Sequence, residues 1–212
     1  PDIDYNCAYI EKEIPDEYVD VYRYLKDSGI KTTCYLSYWN MEYRENGGTL
    51  SKHRLSTEDE LQDYIEYVKM VVTRLKGLVY SYELWNEPDA NYDYYQYITP
   101  EDYISMARRV IPVIREIDPD AKIVLMGTSE AMFSEKWKEY SLPILRSDVV
   151  SLADAIAFTS NYDASPEHLS DYYYNHDSMW NEVKSIAEES GFIGEYIADG
   201  LYYKSYYSLY VL

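Results

Sequence analysis

Glu87 and Glu195 are the residues from which chemistry can be argued. Glu87 closes the apolar, strand-like run "LVYSYELWN", and Glu195 follows "FIG" in the short run "FIGEY". Active sites of parallel α/β folds form where strands end, at the C-terminal edge of the sheet. Two carboxylates opposed across such an edge suit cleavage of a glycosidic bond. One protonates the leaving oxygen while the other attacks the anomeric carbon. The interval from 87 to 195 is 108 residues, or 36 for each of three strand–helix units, compatible with the roughly 31 per unit of a typical (β/α)8 barrel. Glu83 shares strand parity with Glu87 and reads as a structural partner rather than a third catalyst. Asn86 and Glu87 are neighbours that a regular strand sends to opposite faces, so a site using both needs a bend or bulge at the tip.

The elements that must position these residues alternate. "PDEYVDVYRYLKDS" (15–28) opens with proline and acids and carries Tyr18, Val21, Tyr22 and Leu25 at helical spacing before Gly29. The β-branched run 29–39 reads as a strand. A capping box, Ser56 to Asp59 or Thr57 to Glu60, opens the next helix. Its apolar stripe runs Leu61, Tyr64, Ile65, Val68, Val71, Val72, Leu75, and Gly77 is its stop. Strand 78–85 follows. Thr99 and Pro100 then start a helix with a stripe of Tyr103, Ala107, Val110, Ile111 and Ile114, in which Pro112 is expected to make a kink. Runs 121–129 and 153–162 read as strands, 178–191 as a helix and 192–196 as a strand. This alternation predicts parallel strands with helical crossovers, either a doubly wound sheet or a closed barrel. No strand is followed by a glycine-rich phosphate loop, which weakens the dinucleotide-binding form.

Composition narrows the partners. The 38 acids against 19 bases give a net charge of −19, a surface that repels nucleic acid and anionic membrane but accommodates a neutral carbohydrate. No apolar run is long enough for a transmembrane helix, and no signal peptide is visible after Pro1. Two cysteines, Cys7 and Cys34, make no disulfide framework, and three scattered histidines make no zinc cluster. No cofactor or metal is expected. The 28 tyrosines against three phenylalanines suit sugar stacking, or fill core positions in place of Phe.

"WNEP" (85–88) after an apolar strand resembles the Asn-Glu-Pro signature of the retaining glycoside hydrolases of clan A. "TPEDYISMARRVIPVIREIDPDAKIVLMGTS", "LADAIAFTSNY" and "FIGEY" resemble that clan's fourth helix with fifth strand, sixth strand and seventh strand. The likeness covers roughly residues 29–200, is best over 78–130, and lies nearest the β-xylosidase-like or cellulase-like branches. It implies a (β/α)8 TIM barrel with Glu87 as acid/base at the end of the fourth strand and Glu195 as nucleophile at the end of the seventh. Asn86 is then the donor to the sugar 2-hydroxyl. Tyr162, ending the sixth strand, becomes a substrate-binding residue or a packing aromatic, and the histidine often found there is absent. Trp39, ending the third strand, is a sugar-stacking platform or a rim packing contact. At about 31 residues per unit, 212 residues hold close to seven units, so residues 1–212 are expected to form one incomplete barrel domain. Strands two to seven are the ones expected to be visible, with truncation expected at one or both ends. The function expected is retaining hydrolysis of β-linked glycans, the rival a catalytically inactive carbohydrate-binding relative. Sugar specificity, oligomeric state and compartment are not legible.

Overall fold

Local capping and helical stripes account for most of the elements in the structure, a computed structural model describing residues 13–37, 54–90, 97–159 and 170–199. Helix α1 (Asp16–Asp27) begins after Pro15 and buries Val19 and Tyr22. Val21, expected on the core stripe, is exposed, so the buried face is rotated from the expected one. Helix α2 (Glu58–Leu75) is capped by Thr57, whose hydroxyl accepts from the Glu60 N–H at 3.2 Å, and all seven residues of its expected stripe are buried. The cap is worth about 1 kcal/mol, whereas each buried Leu, Ile or Val contributes about 1.5–3 kcal/mol. The stripe therefore holds the helix and the cap sets its start. Helix α3 (Pro100–Ile117) is capped in the same way by Thr99 and continues as one helix through Pro112. Helix α4 (Glu135–Leu145) has no counterpart in the sequence reading, since Pro143 near its end obscures its pattern. A 3₁₀ turn (Asp148–Leu152) follows, then helices α5 (Ser170–Tyr174) and α6 (His176–Glu189).

Five strands alternate with these helices: β1 (Thr33–Tyr35), β2 (Ser81–Glu83), β3 (Lys122–Leu125), β4 (Ala155–Thr159) and β5 (Glu195–Asp199). They form one sheet in the order β1-β2-β3-β4-β5, every pair parallel. Strand order equal to chain order, with no reversal, is the order of a (β/α)8 barrel. A doubly wound sheet would show a switch point where the order turns back. Among the described residues the sheet is thus five consecutive strands of a barrel.

Strand alternation divides the core. Cys34, Tyr82, Leu84, Ile123, Leu125, Ile156 and Phe158 join the helix stripes in the main core, while Val124, Ala155 and Ala157 form a separate cluster on the other, inner face. That inner face also carries the Thr33 and Ser81 hydroxyls, 2.8 Å apart. Small and polar side chains suit the confined interior of a barrel better than the bulky residues facing the helices. Cys34, buried in the main core, has its thiol pushed up to about 11 by desolvation, which makes it an inert core residue. No helix of the described residues is long and apolar enough to cross a membrane.

The last strand departs from expectation. The run 192–196 was expected to be the strand, but β5 starts at Glu195 and continues to Asp199. Gly194 explains the start. A Cβ there would lie 2.2 Å from the Asp154 carbonyl oxygen and 2.6 Å from the Phe192 ring, and this close approach lets the Glu195 N–H donate to that carbonyl at 2.8 Å. Gly194→Ala should destabilise the chain by about 1–3 kcal/mol, the range for overpacking a tight site. Urea denaturation measures this, and a midpoint equal to wild type would show that β5 can start without the close approach.

Candidate active site

The tip of β2 is fixed from the helix side. The Tyr64 hydroxyl, from α2, donates to the Leu84 carbonyl. The next residue, Trp85, is buried with its ring 5.4 Å from that of Tyr64 and 5.7 Å from the Arg54 guanidinium. Arg54 donates from Nε to Glu60 at 2.6 Å, and both side chains are nearly inaccessible. Removing one partner of a buried ion pair costs about 3–5 kcal/mol. Trp85 therefore sits against a cation that is itself anchored to α2.

Beyond Trp85 the chain keeps its parallel pairing and then bends. Asn86 bridges to Gly127, past the end of β3, and its N–H donates to the Ser37 hydroxyl at 3.0 Å. The Glu87 N–H donates to the Gly127 carbonyl at 2.7 Å. Glu87 itself has φ of 50°, in the left-handed region, and Met126 on the neighbouring tip has φ of 67°. A sparsely populated backbone state of this kind costs on the order of 1–3 kcal/mol per residue and persists where surrounding contacts hold it. The bend expected from the Asn86–Glu87 pair is this left-handed residue. It leaves Asn86 exposed and Glu87 half-buried, while Pro88, Asp89 and Ala90 turn back into the protein.

Asp89 is a residue the sequence reading missed. It is 7 % exposed, and its carboxylate accepts from two consecutive amides past β3, Ser129 N–H at 2.6 Å and Glu130 N–H at 3.0 Å. Burial raises its pKa above the ordinary aspartate value, and the amide hydrogen bonds oppose that rise only in part. One strand further on, the Thr159 hydroxyl donates to the Thr128 carbonyl, and the Met132 N–H donates to the Thr159 carbonyl at 3.0 Å. A belt of hydrogen bonds thus runs along the C-terminal edge from Ser37 through residues 86–89 and 127–130 to Thr159.

Glu195 is not on that edge. It is the first residue of β5 and lies in the ladder row of Glu83, Val124 and Ala155. Its carboxylate pairs at 2.7 Å with Lys122, the first residue of β3. Four residues of strand, about 13 Å at 3.3 Å per residue, separate that row from the row of Glu87. The expectation that the two glutamates share the rim is therefore corrected: the strand begins, rather than ends, at Glu195. Advancing four residues along each strand from Glu83, Val124, Ala155 and Glu195 gives Glu87, Thr128, Thr159 and Asp199, of which Thr159 and Asp199 pair directly. Asp199 is the last residue of β5, its backbone in the row of Thr159. The missed signal was the continuation "YIA", with aromatic Tyr196 and β-branched Ile197, before Gly200. Trp39 and Tyr162 lie outside the described residues.

No family profile matches the chain, and no curated protein matches it in sequence. Solved structures do. The chain is similar to a family 39 glycoside hydrolase from the gut symbiont Bacteroides cellulosilyticus WH2, with a TM-score of 0.53 and 19% identity over 69% of this chain and 28% of that one. It is similar to the endo-β-1,4-mannanase of Thermotoga petrophila, with a TM-score of 0.57 and 18% identity over 85% of this chain and 45% of that one. It also resembles the endo-1,4-β-mannanase of Rhizomucor miehei, with a TM-score of 0.54 and 13% identity over 86% and 66% respectively. The chain spans less than half the length of the first two. The likeness is one of fold, a partial (β/α)8 barrel shared with glycoside hydrolases.

The raised Asp89 pKa has a stability consequence with a definite sign. Between the unfolded aspartate pKa, about 3.9, and its higher folded value, the native state binds more protons than the unfolded state. Asp89 therefore lowers stability as pH rises through that window. Relative to Asp89→Asn, the wild type should lose stability from about pH 4 upward until Asp89 is fully ionised. Urea titrations of both proteins across this range test it, and parallel stability curves would contradict the raised pKa.

Proposed function

We propose that the chain is a glycoside hydrolase acting on a β-linked glycan at the C-terminal rim of its barrel, with Glu87 as acid/base. The observation that carries this reading is the half-buried Glu87, set in a left-handed turn at the tip of β2 on the edge where parallel barrels build their sites. The fold shared with glycoside hydrolases supports it, as does the Asn-Glu-Pro resemblance. Exposed Asn86, immediately before the bend, is the proposed donor to the sugar 2-hydroxyl. Asp199 takes the role expected of Glu195, since it ends β5 on the rim while Glu195 begins the strand on the opposite edge. Trp39 and Tyr162 keep their proposed roles in sugar binding.

The mechanism proposed is retaining. In the first step the Glu87 proton passes to the glycosidic oxygen, and the bond from that oxygen to the anomeric carbon breaks with its electron pair staying on oxygen. An Asp199 carboxylate oxygen bonds to the anomeric carbon. In the second step the Glu87 carboxylate takes a proton from water, the water oxygen bonds to the same carbon, and the aspartyl ester bond breaks. A second reading, a barrel that binds carbohydrate without cleaving it, is favoured by one observation: the second glutamate of the sequence pattern is held by Lys122 away from the rim.

Aryl β-glycosides and β-linked oligosaccharides distinguish the two. Turnover should fall about 100-fold or more in Glu87→Gln and in Asp199→Asn, the scale for losing a group that acts in the chemical step. Glu195→Gln, a change on the stability face of the barrel, should stay within about twofold. Loss of activity in Glu195→Gln with retention in Asp199→Asn would reverse the assignment. Saturable sugar binding by wild type without any turnover would establish the second reading.

A further inference from the structure

Asp89 and Glu87 belong to one four-residue turn, closed by the Ala90 N–H donating to the Glu87 carbonyl at 3.0 Å. That turn is tied at both ends to the segment leaving β3. At its start the Glu87 N–H meets the Gly127 carbonyl, and near its end the two Asp89 carboxylate oxygens take the Ser129 and Glu130 amides separately. Among the described residues Asp89 makes no ion pair, so a buried carboxylate is held by hydrogen bonds, those of the Ser129 and Glu130 amides joined by the Ser129 hydroxyl. A neutral Asn offers one acceptor oxygen in place of two. The carboxylate is the short side chain that can receive both consecutive amides at once, which locks the relative position of two backbones rather than merely filling space. The residues so locked are the two strand tips that carry left-handed backbone, Glu87 and Met126.

We propose that Asp89 is the positioning residue of Glu87. Its clamp on the 127–130 segment holds the Glu87 backbone in the left-handed state and so sets the direction in which the Glu87 carboxyl leaves the strand tip. This assignment rests on the proposed role of Glu87 as acid/base for its functional meaning, and on geometry alone for its structural meaning. Asp89 touches neither substrate nor reacting atoms; it acts through the turn it shares with Glu87.

Two readouts on wild type, Asp89→Asn and Asp89→Ala decide it. Amide hydrogen exchange should be at least about tenfold faster at Glu87, Ser129 and Glu130 in Asp89→Ala, intermediate in Asp89→Asn, and unchanged in α2 and α3. The kcat/KM for aryl β-glycosides with poor leaving groups should drop about tenfold or more, while a dinitrophenyl glycoside, which needs little protonation, should drop far less. Unchanged Glu87 exchange in Asp89→Ala, or an equal drop for all leaving groups, would overturn the positioning role. If wild type cleaves no glycoside, the proposed hydrolase activity fails while the exchange data still decide whether Asp89 holds Glu87. If Asp89→Ala does not fold, the Asn variant carries both readouts.

Discussion

Parallel pairing is the constraint on which everything else here depends. A parallel ladder needs every strand to run the same way, so the chain must return to the starting edge after each strand, and a helix makes each return. All strand ends then fall on one edge and all strand starts on the other. The fate of the two glutamates follows directly. Glu87 lies past the end of β2 and reaches the edge with Asn86, Gly127 and Thr128, while Glu195 opens β5 and reaches the edge with Lys122. No side-chain preference can move a residue from one edge to the other, because the ladder register of β4 with β5 holds five consecutive pairs.

Energy is distributed accordingly. The apolar stripes of α2 and α3 and the outward faces of the strands form one continuous core, which supplies the burial that stabilises the fold. The inner face is built from small and polar residues and contributes less. The rim is where the fold carries strain: the left-handed residues Glu87 and Met126, a buried carboxylate and a chain of side-chain-to-backbone hydrogen bonds lie along this edge. Local strain supported by a rigid layer beneath is the usual condition of a functional edge. The buried Arg54–Glu60 pair and the Tyr64–Trp85 contact supply that support from the helix side.

Much of the fold was legible because its signals are local. The α2 stripe, its Thr57 cap and the glycine stop at Gly77 follow from helical periodicity and from backbone sterics, and each is present. The α3 stripe and its Thr99 cap are equally local. Legibility failed where a competing local signal misled. Pro143 hid α4, and Gly194 looked like the interior of a strand when it is the close approach that precedes one.

The sequence by itself determined the alternation of strands and helices, the core-facing residues of the long helices and the presence of an acid at the tip of β2, because these depend on spacing along a few turns. The tertiary structure alone decided which residues share an edge. Edge and row are properties of register between segments up to 48 residues apart (Thr33 with Ser81, 81 − 33), and hydrogen-bond register has no local signature in a single strand. That is why Glu195 could be read as a partner of Glu87 from the sequence. The ladder instead starts β5 at Glu195 and ends it at Asp199, and the fold brings Asp89, silent in the sequence, onto the amides of the neighbouring tip.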